Sequence, residues 1–215
     1  AGVKRFVYIS SIKVNGDGAD HIPAFSERDE CNPQDPYGIS KWEAEQSLRN
    51  IALGSDLEIV IVRPPLVYGP GVGGNFIRLL YWVSRRIPLP LASVHNRRSM
   101  VYVGNLVDAL SVCIVAPEAI GKTFLVSDGE DFSTPQLIRR VAAEMGIKPN
   151  LFPIPRYLLI AIGSMVGKSA ELSRLVDSLV VNSSKIRFDL KWRPPHTIDE
   201  GLSETVKWYM KHQKK

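Results

Sequence analysis

The sequence predicts an α/β protein built on a parallel sheet. Two β-rich runs, Val3–Ile9 and Leu57–Val62, flank a stretch that carries helix start and stop signals, and strands then alternate with helices to about residue 146. Alternation of that kind places strands side by side in parallel, with the helices covering the faces of the sheet.

Each element has a local cause. Val3–Ile9 is rich in β-formers, and Ser10-Ser11 stand where that strand should end. Residues 13–35 are polar with Gly, Asp and Pro, the composition of a loop. Asp35 is a good N-cap and Pro36 fits a first helical turn, so a helix should run through Leu53 and stop at Gly54. Leu57–Val62 is continuously apolar and β-branched, which suggests a strand buried on both faces, ended by Pro64-Pro65. After a Gly/Pro-rich loop come a helix from about Asn75 to Arg86 and a short strand over Met100–Val103. An apolar helix over Asn105–Val115 and a strand over Thr123–Val126 follow. Thr134-Pro135 should cap a helix ending near Met145-Gly146. Residues 147–156 carry three prolines and read as a connector, followed by two or three short helices. Thr197-x-x-Glu200 is a capping box for the last of them. No internal repeat or low-complexity tract is visible.

Composition narrows the classes. A chain of 215 residues, 45% hydrophobic, can bury one core or one core plus a small lobe. The net charge of +5, from 27 basic and 22 acidic residues, is spread along the chain and suits an anionic ligand. It forms no basic stripe interleaved with aromatics, so nucleic acid is not the expected partner. Cys31 and Cys113 lie far apart without metal-ligand spacing, which points to a reducing compartment, no disulfide framework and no metal. The apolar segment Tyr157–Val166 is well short of the ~20 residues a membrane span needs, and the N-terminus shows no leader pattern. A cytoplasmic protein is expected.

The chemistry concentrates in Tyr37-Gly38-Ile39-Ser40-Lys41. Residues four apart at a helix start share a face, which sets a phenol beside an ammonium. A nearby cation favours the ionised phenol, so such a pair can exchange a proton with a substrate alcohol. A serine hydroxyl at an adjacent strand end can hold that alcohol. Alcohol–ketone redox chemistry is the reading these residues support, set against a bare helix start with a surface lysine near Glu43 and Glu45.

The chain resembles the extended short-chain dehydrogenase/reductase family, of the NAD-dependent epimerase/dehydratase type. The resemblance runs over nearly its whole length and rests on five segments in the family's order. These are Phe6–Ser11, the Tyr37/Lys41 pair, Arg63-Pro64-Pro65-Leu66-Val67-Tyr68-Gly69-Pro70, Arg98–Val103 and Leu190–Pro194. It implies the C-terminal part of a doubly wound, Rossmann-like parallel sheet plus a small, mainly helical substrate-binding lobe. Residues 1–66 would belong to the sheet domain and 67–215 mainly to the lobe, with 98–116 returning to the sheet. It also implies NAD or NADP, and a preceding glycine-rich half that this chain lacks. Gly69-Pro70-Gly71-Val72-Gly73-Gly74 satisfies the dinucleotide pattern literally, but Pro64, Pro65 and Pro70 interrupt the tight turn and no acidic residue follows at the right distance.

By the same resemblance, Tyr37 is the acid/base, and Lys41 assists it and holds the nicotinamide ribose. Ser11 is the catalytic hydroxyl, with Ser10 an open alternative. Pro64 and Pro65 pass beside the nicotinamide. Asn75 and Phe76 match the pair contacting the nucleotide diphosphate, although Asn75 could equally be a helix N-cap. Arg98 matches a phosphate-binding arginine, with Arg97 leaving the register open, and Arg174 is a second such arginine or a helix-surface one. Dehydratases carry Asp-Glu where this chain has Ile12 and Lys13, which disfavours dehydration. Leu66 and Asn15 stand where many sugar epimerases have Asn and Tyr. The implied activity is oxidoreduction at C4 of a nucleotide sugar, most simply a UDP-sugar, as 4-epimerase or 4-keto reductase. A 3β-hydroxysteroid dehydrogenase-like enzyme and a catalytically incomplete fragment are the alternatives. A homodimer through the helix bearing Trp42 is expected.

Overall fold

The computed structural model describes residues 2–18, 24–155, 157–160, 172 and 175–213. Its strands form two three-stranded sheets. In the first, β1 (Arg5–Ile9), β2 (Glu58–Arg63) and β5 (Thr123–Leu125) lie in the order β1-β2-β5, all parallel. In the second, β3 (Leu66–Tyr68) runs parallel to β4 (Arg98–Tyr102), and β6 (Asp131–Phe132) is antiparallel to β4. The helices are α1 (Pro36–Leu53), α2 (Gly74–Ser84), α3 (Val103–Val115), α4 (Thr134–Glu144), α5 (Ser184–Asp189) and α6 (Ile198–His212), with single 3₁₀ turns at Ile12–Val14 and Pro117–Ala119.

β2 is the centre of the first sheet, and Ile59 to Val62 are all buried, as its unbroken apolar run predicts. Its core joins Val60, Val62 and Phe124 to Ala109 and Cys113 of α3, and to Ile186 and Trp192. A second core forms where α2, α4 and α6 meet, around Leu80, Val83, Ile138, Val141, Leu202 and Val206. Arg5 ties layers together: its Nε donates to Glu58 at 2.7 Å, and its Nη1 donates to the carbonyls of Cys113, Ile114 and Ala116 at the C-terminus of α3. A cation there meets the negative end of the helix and its unpaired carbonyls.

Most expected elements form where their signals lie. The Asp35 carboxylate accepts from Gly38 N at 2.7 Å, Pro36 opens α1 and Gly54 closes it. The Thr197/Glu200 capping box forms as written. Four details differ. The cap of α4 is Ser133 in a box with Gln136, while the Thr134 N–H is taken by Asn96 Oδ1. The N-cap of α2 is Gly73, so Asn75 lies inside the helix. β3 and β6 carry no strand signal of their own and exist by pairing with β4. Within the stretch 98–116 expected in the sheet domain, β4 pairs in the second sheet, whereas β5 beyond it pairs in the first. No helix among the described residues is long and apolar enough to cross a membrane.

Candidate active site

Parallel strands end at one edge, and the candidate residues of the first layer gather there. The ladder between β1 and β2 continues past both strands: Ser10 N donates to Val62 O at 2.7 Å and Ile12 N to Pro64 O at 3.0 Å. Ser11 therefore sits between two ladder bonds, opposite Pro64-Pro65, which are buried. Its hydroxyl accepts from Lys13 N at 3.2 Å and starts the 3₁₀ turn, which leaves its own proton free to donate. Ser10 points its hydroxyl inward, where it donates to Glu45 Oε1 at 2.5 Å. Of the two serines, only Ser11 keeps a proton for a substrate.

α1 begins beside that turn because residue 38 is glycine. A Cβ there would lie 2.8 Å from the Lys13 carbonyl oxygen and 3.1 Å from Pro33 Cβ. Without it, the first turn of α1 seats directly against the turn that Ser11 starts. Tyr37 is 54% exposed at this edge. Lys41 Nζ donates to Ile9 O at 3.0 Å and lies 5.9 Å from the centre of the Tyr37 ring and 4.9 Å from that of Tyr8. It pairs with neither Glu43 nor Glu45 among the described interactions. One of its three N–H groups is used by Ile9, which leaves two for a ligand.

Behind the edge lies a buried polar network that the sequence reading passed over. Glu45 and Arg63 are 0% and 2% exposed. Arg63 grips Glu45 with two bonds, Nε to Oε1 at 2.9 Å and Nη2 to Oε2 at 2.6 Å. Arg63 also donates to Asn15 Oδ1 at 2.9 Å and to Cys31 Sγ at 3.3 Å. Burial works against the Arg63 charge, but the hydrogen bonds and charge of Glu45, with Cys31, outweigh it and raise the guanidinium above its ordinary value. Two signals for this network were present in the sequence: Glu45 lies one helical turn beyond Lys41 on the same face, and Arg63 closes an otherwise apolar strand.

The remaining candidates belong to the second layer. Asn75 is exposed in the first turn of α2, whereas Phe76 is 2% exposed and stacks on Tyr68 at 5.7 Å between ring centres. The Phe76 ring is thus packed in the core. Arg98 is half-buried and donates to the Asp177 carbonyl at 3.0 Å, while Arg97 is exposed and paired with Asp131. Arg174 lies outside the described residues. A cavity of about 550 Å³, lined by Asp128, Gly129, Glu130, Arg187, Arg193 and Pro194, contains none of the candidate residues. At its edge Asp128 accepts from Tyr68 Oη, Tyr102 N and Asn105 Nδ2. Burial nevertheless raises the Asp128 carboxyl above its usual range, and burial followed by the Asp128 charge raises the Tyr68 phenol.

A nicotinamide cofactor can be tested against this donor set. Two spare N–H groups on Lys41, the exposed Tyr37 phenol and the apolar edges of Pro64 and Pro65 fit the ribose and ring of such a group. The glycine-rich loop at residues 69–74 follows β3 of the second sheet and so does not join a strand of the parallel sheet to its helix.

Comparison with known proteins agrees with this layout. A model of the NAD dependent epimerase/dehydratase family matches residues 1–127. UDP-glucose 4-epimerase of Vibrio cholerae is 43% identical over 211 residues, which are 98% of this chain and 64% of that protein. The chain thus spans just under two thirds of that relative's length. Among solved structures, UDP-glucose 4-epimerase of Thermotoga maritima with UDP-glucose superposes with a TM-score of 0.76 at 22% identity, covering 99% of this chain and 65% of the other. UDP-glucuronic acid 4-epimerase of Bacillus cereus in complex with NAD gives 0.78 at 20% identity, covering 98% and 61%. At such identities these two structures speak for the fold.

Proposed function

Since the chain belongs to the NAD-dependent epimerase/dehydratase family, we propose that its full-length protein interconverts nucleotide sugars, most simply UDP-sugars, at C4. The observation that carries this reading is the meeting of Ser11, Tyr37 and Lys41 at the carboxyl edge of β1 and β2. The 43% identity to a UDP-glucose 4-epimerase supports the choice of epimerisation.

The chain's own residues act on the C4 alcohol. Ser11 donates its free proton to the sugar oxygen and holds it. Tyr37 takes the C4 hydroxyl proton as the carbonyl forms and returns a proton when the alcohol is remade. Lys41, held by Ile9 O, steadies the charge left on the phenol and offers its remaining N–H groups to the nicotinamide ribose. NAD or NADP, when bound, supplies the hydride acceptor and donor for C4. Pro64 and Pro65 present an apolar wall to that ring. Arg98, with Arg174, would meet the substrate diphosphate, and Asn75 lies on the same lobe. The helix α1, with half-buried Trp42 and exposed Ile39, is the proposed contact with a second subunit.

Dehydration lacks its residues, because Ile12 is buried and apolar and Lys13 pairs with Asp17 and Asp35. The test is Tyr37→Phe in the full-length protein. Loss of the acid/base should lower kcat by about 10²–10⁴-fold with the thermal midpoint unchanged. Wild-type kcat in the folded variant would overturn the assignment.

A further inference from the structure

Resting on the reading above, we propose that Glu45 and Arg63 are positioning residues, a buried clamp that sets Tyr37, Lys41 and Ser11 relative to one another. Tyr37, Lys41 and Glu45 are spaced i, i+4, i+8 and share one face of α1. Along that face Tyr37 reaches the open edge, Lys41 binds Ile9 O, and Glu45 enters the interior.

The two Glu45 oxygens bond to side chains of two other segments, and a third is reached through Arg63. Oε1 accepts from Ser10 Oγ at 2.5 Å, and Ser10 immediately precedes Ser11. Oε1 and Oε2 together hold the Arg63 fork, and Arg63 immediately precedes Pro64. Through Arg63 Nη1 the clamp reaches Asn15, which closes the 3₁₀ turn that Ser11 begins. A paired fork fixes angle as well as distance. Ser11 and Pro64 therefore each adjoin a residue bonded to the clamp, and Tyr37 and Lys41 stand on the helix that carries it.

Stability alone does not explain the pair. Buried ion pairs can often be replaced by apolar side chains of similar volume with no loss of stability, and the surrounding residues Ile59 to Val62 are apolar and buried. Geometry does explain it. Eight residues of helix separate Glu45 from Tyr37, a lever of about 12 Å. A tilt of a few degrees about Glu45 carries the phenol about 1 Å, a misplacement worth about 10²-fold in rate.

The experiment measures kcat, KM and thermal midpoint in the full-length protein, in the wild-type and Tyr37→Phe backgrounds. Glu45→Gln leaves the Arg63 charge buried without its partner, so its midpoint should fall. The joint replacement Glu45→Met/Arg63→Met removes both charges and should recover part of that fall, the buried Ser10 hydroxyl and Asn15 amide oxygen having lost their partners. It should still lower kcat by about 10²-fold while KM moves by less than about threefold. In the Tyr37→Phe background it should cost at least about tenfold less than in the wild type, because most of the clamp's effect passes through the placing of the Tyr37 phenol and only the remainder through Ser11 and Lys41. Wild-type kcat in the joint variant, or a loss fully additive with Tyr37→Phe, would overturn the proposal. If the joint variant does not fold, Glu45→Asp keeps the charge and withdraws the fork by one methylene. It is expected to show the same fall in kcat, and wild-type kcat there would equally overturn the clamp. Full activity in Tyr37→Phe alone would instead remove the reading of the site, so the two failures are told apart.

Discussion

Burial moves the Cys113 thiol from its ordinary value of 9.0 to about 11, offset in part by the Arg5 charge. Its folded value is raised, so its contribution to stability is whole below pH 9 and is lost as pH rises towards 11, where the unfolded chain ionises first. Urea unfolding between pH 9 and 11 should show a falling stability whose slope is shallower in Cys113→Ala. In the folded protein at neutral pH, a thiol reagent should label the half-exposed Cys31 and leave Cys113 unreacted. Equal labelling rates would contradict the burial of Cys113. Placement was legible in the sequence where spacing alone decides it, as with Tyr37 and Lys41, four apart behind a capping Asp35. Ser10 against Ser11 was not decided there. The choice depends on Glu45, 35 residues away, which takes the Ser10 proton. The packing of Phe76 was not legible for the same reason: its neighbour Tyr68 is brought to it by β3, and no local pattern announces that stacking.

α1 is the element on which the site depends, and Gly38 sets its position. In an ordinary helix, alanine there would gain about 1 kcal/mol over glycine. Here the new Cβ would stand 2.8 Å from the Lys13 carbonyl oxygen, a backbone atom that cannot swing away. Overpacking of this kind costs about 1–3 kcal/mol. Gly38→Ala is therefore expected to lower the thermal midpoint despite its better helix propensity, and to lower kcat more than Asp35→Ala does. The latter removes a cap worth about 1 kcal/mol and a partly exposed ion pair with Lys13. A Gly38→Ala variant more stable than wild type, with full activity, would contradict the close seating of α1. Elements with strong local signals were legible: α1 from its cap, proline and closing glycine, β2 from its apolar run, α6 from its capping box. β3 and β6, three and two residues long, were not, because each is held only by its pairing with β4. The cap of α4 was misplaced by one residue because Thr134 is drawn into the Asn96 network, leaving Ser133 to meet Gln136.

On the scale of the molecule, the α/β class and the parallel first sheet follow from alternation, but strand order does not. β5, which follows α3 in the chain, pairs with β2, and β1 on the other side of β2 has no second neighbour among the described residues. Phe6 and Ile9 on that edge are 43% and 44% exposed. An apolar edge strand is a template for further pairing. The 215 residues alone are therefore expected to self-associate as concentration rises, measured by light scattering, and a charged substitution at Phe6 should reduce the effect. Monomer at all concentrations would contradict the open edge. The candidate site gathers at the carboxyl end of these strands, from residues 11 to 65. The most direct measurement is incubation of the full-length protein with UDP-galactose or UDP-N-acetylgalactosamine, without added NAD(P)H, followed by NMR of the sugar anomeric signals. The expected result is interconversion with the C4 epimer and no net redox change. No conversion of any UDP-sugar, or conversion only with stoichiometric consumption of NAD(P)H, would contradict it.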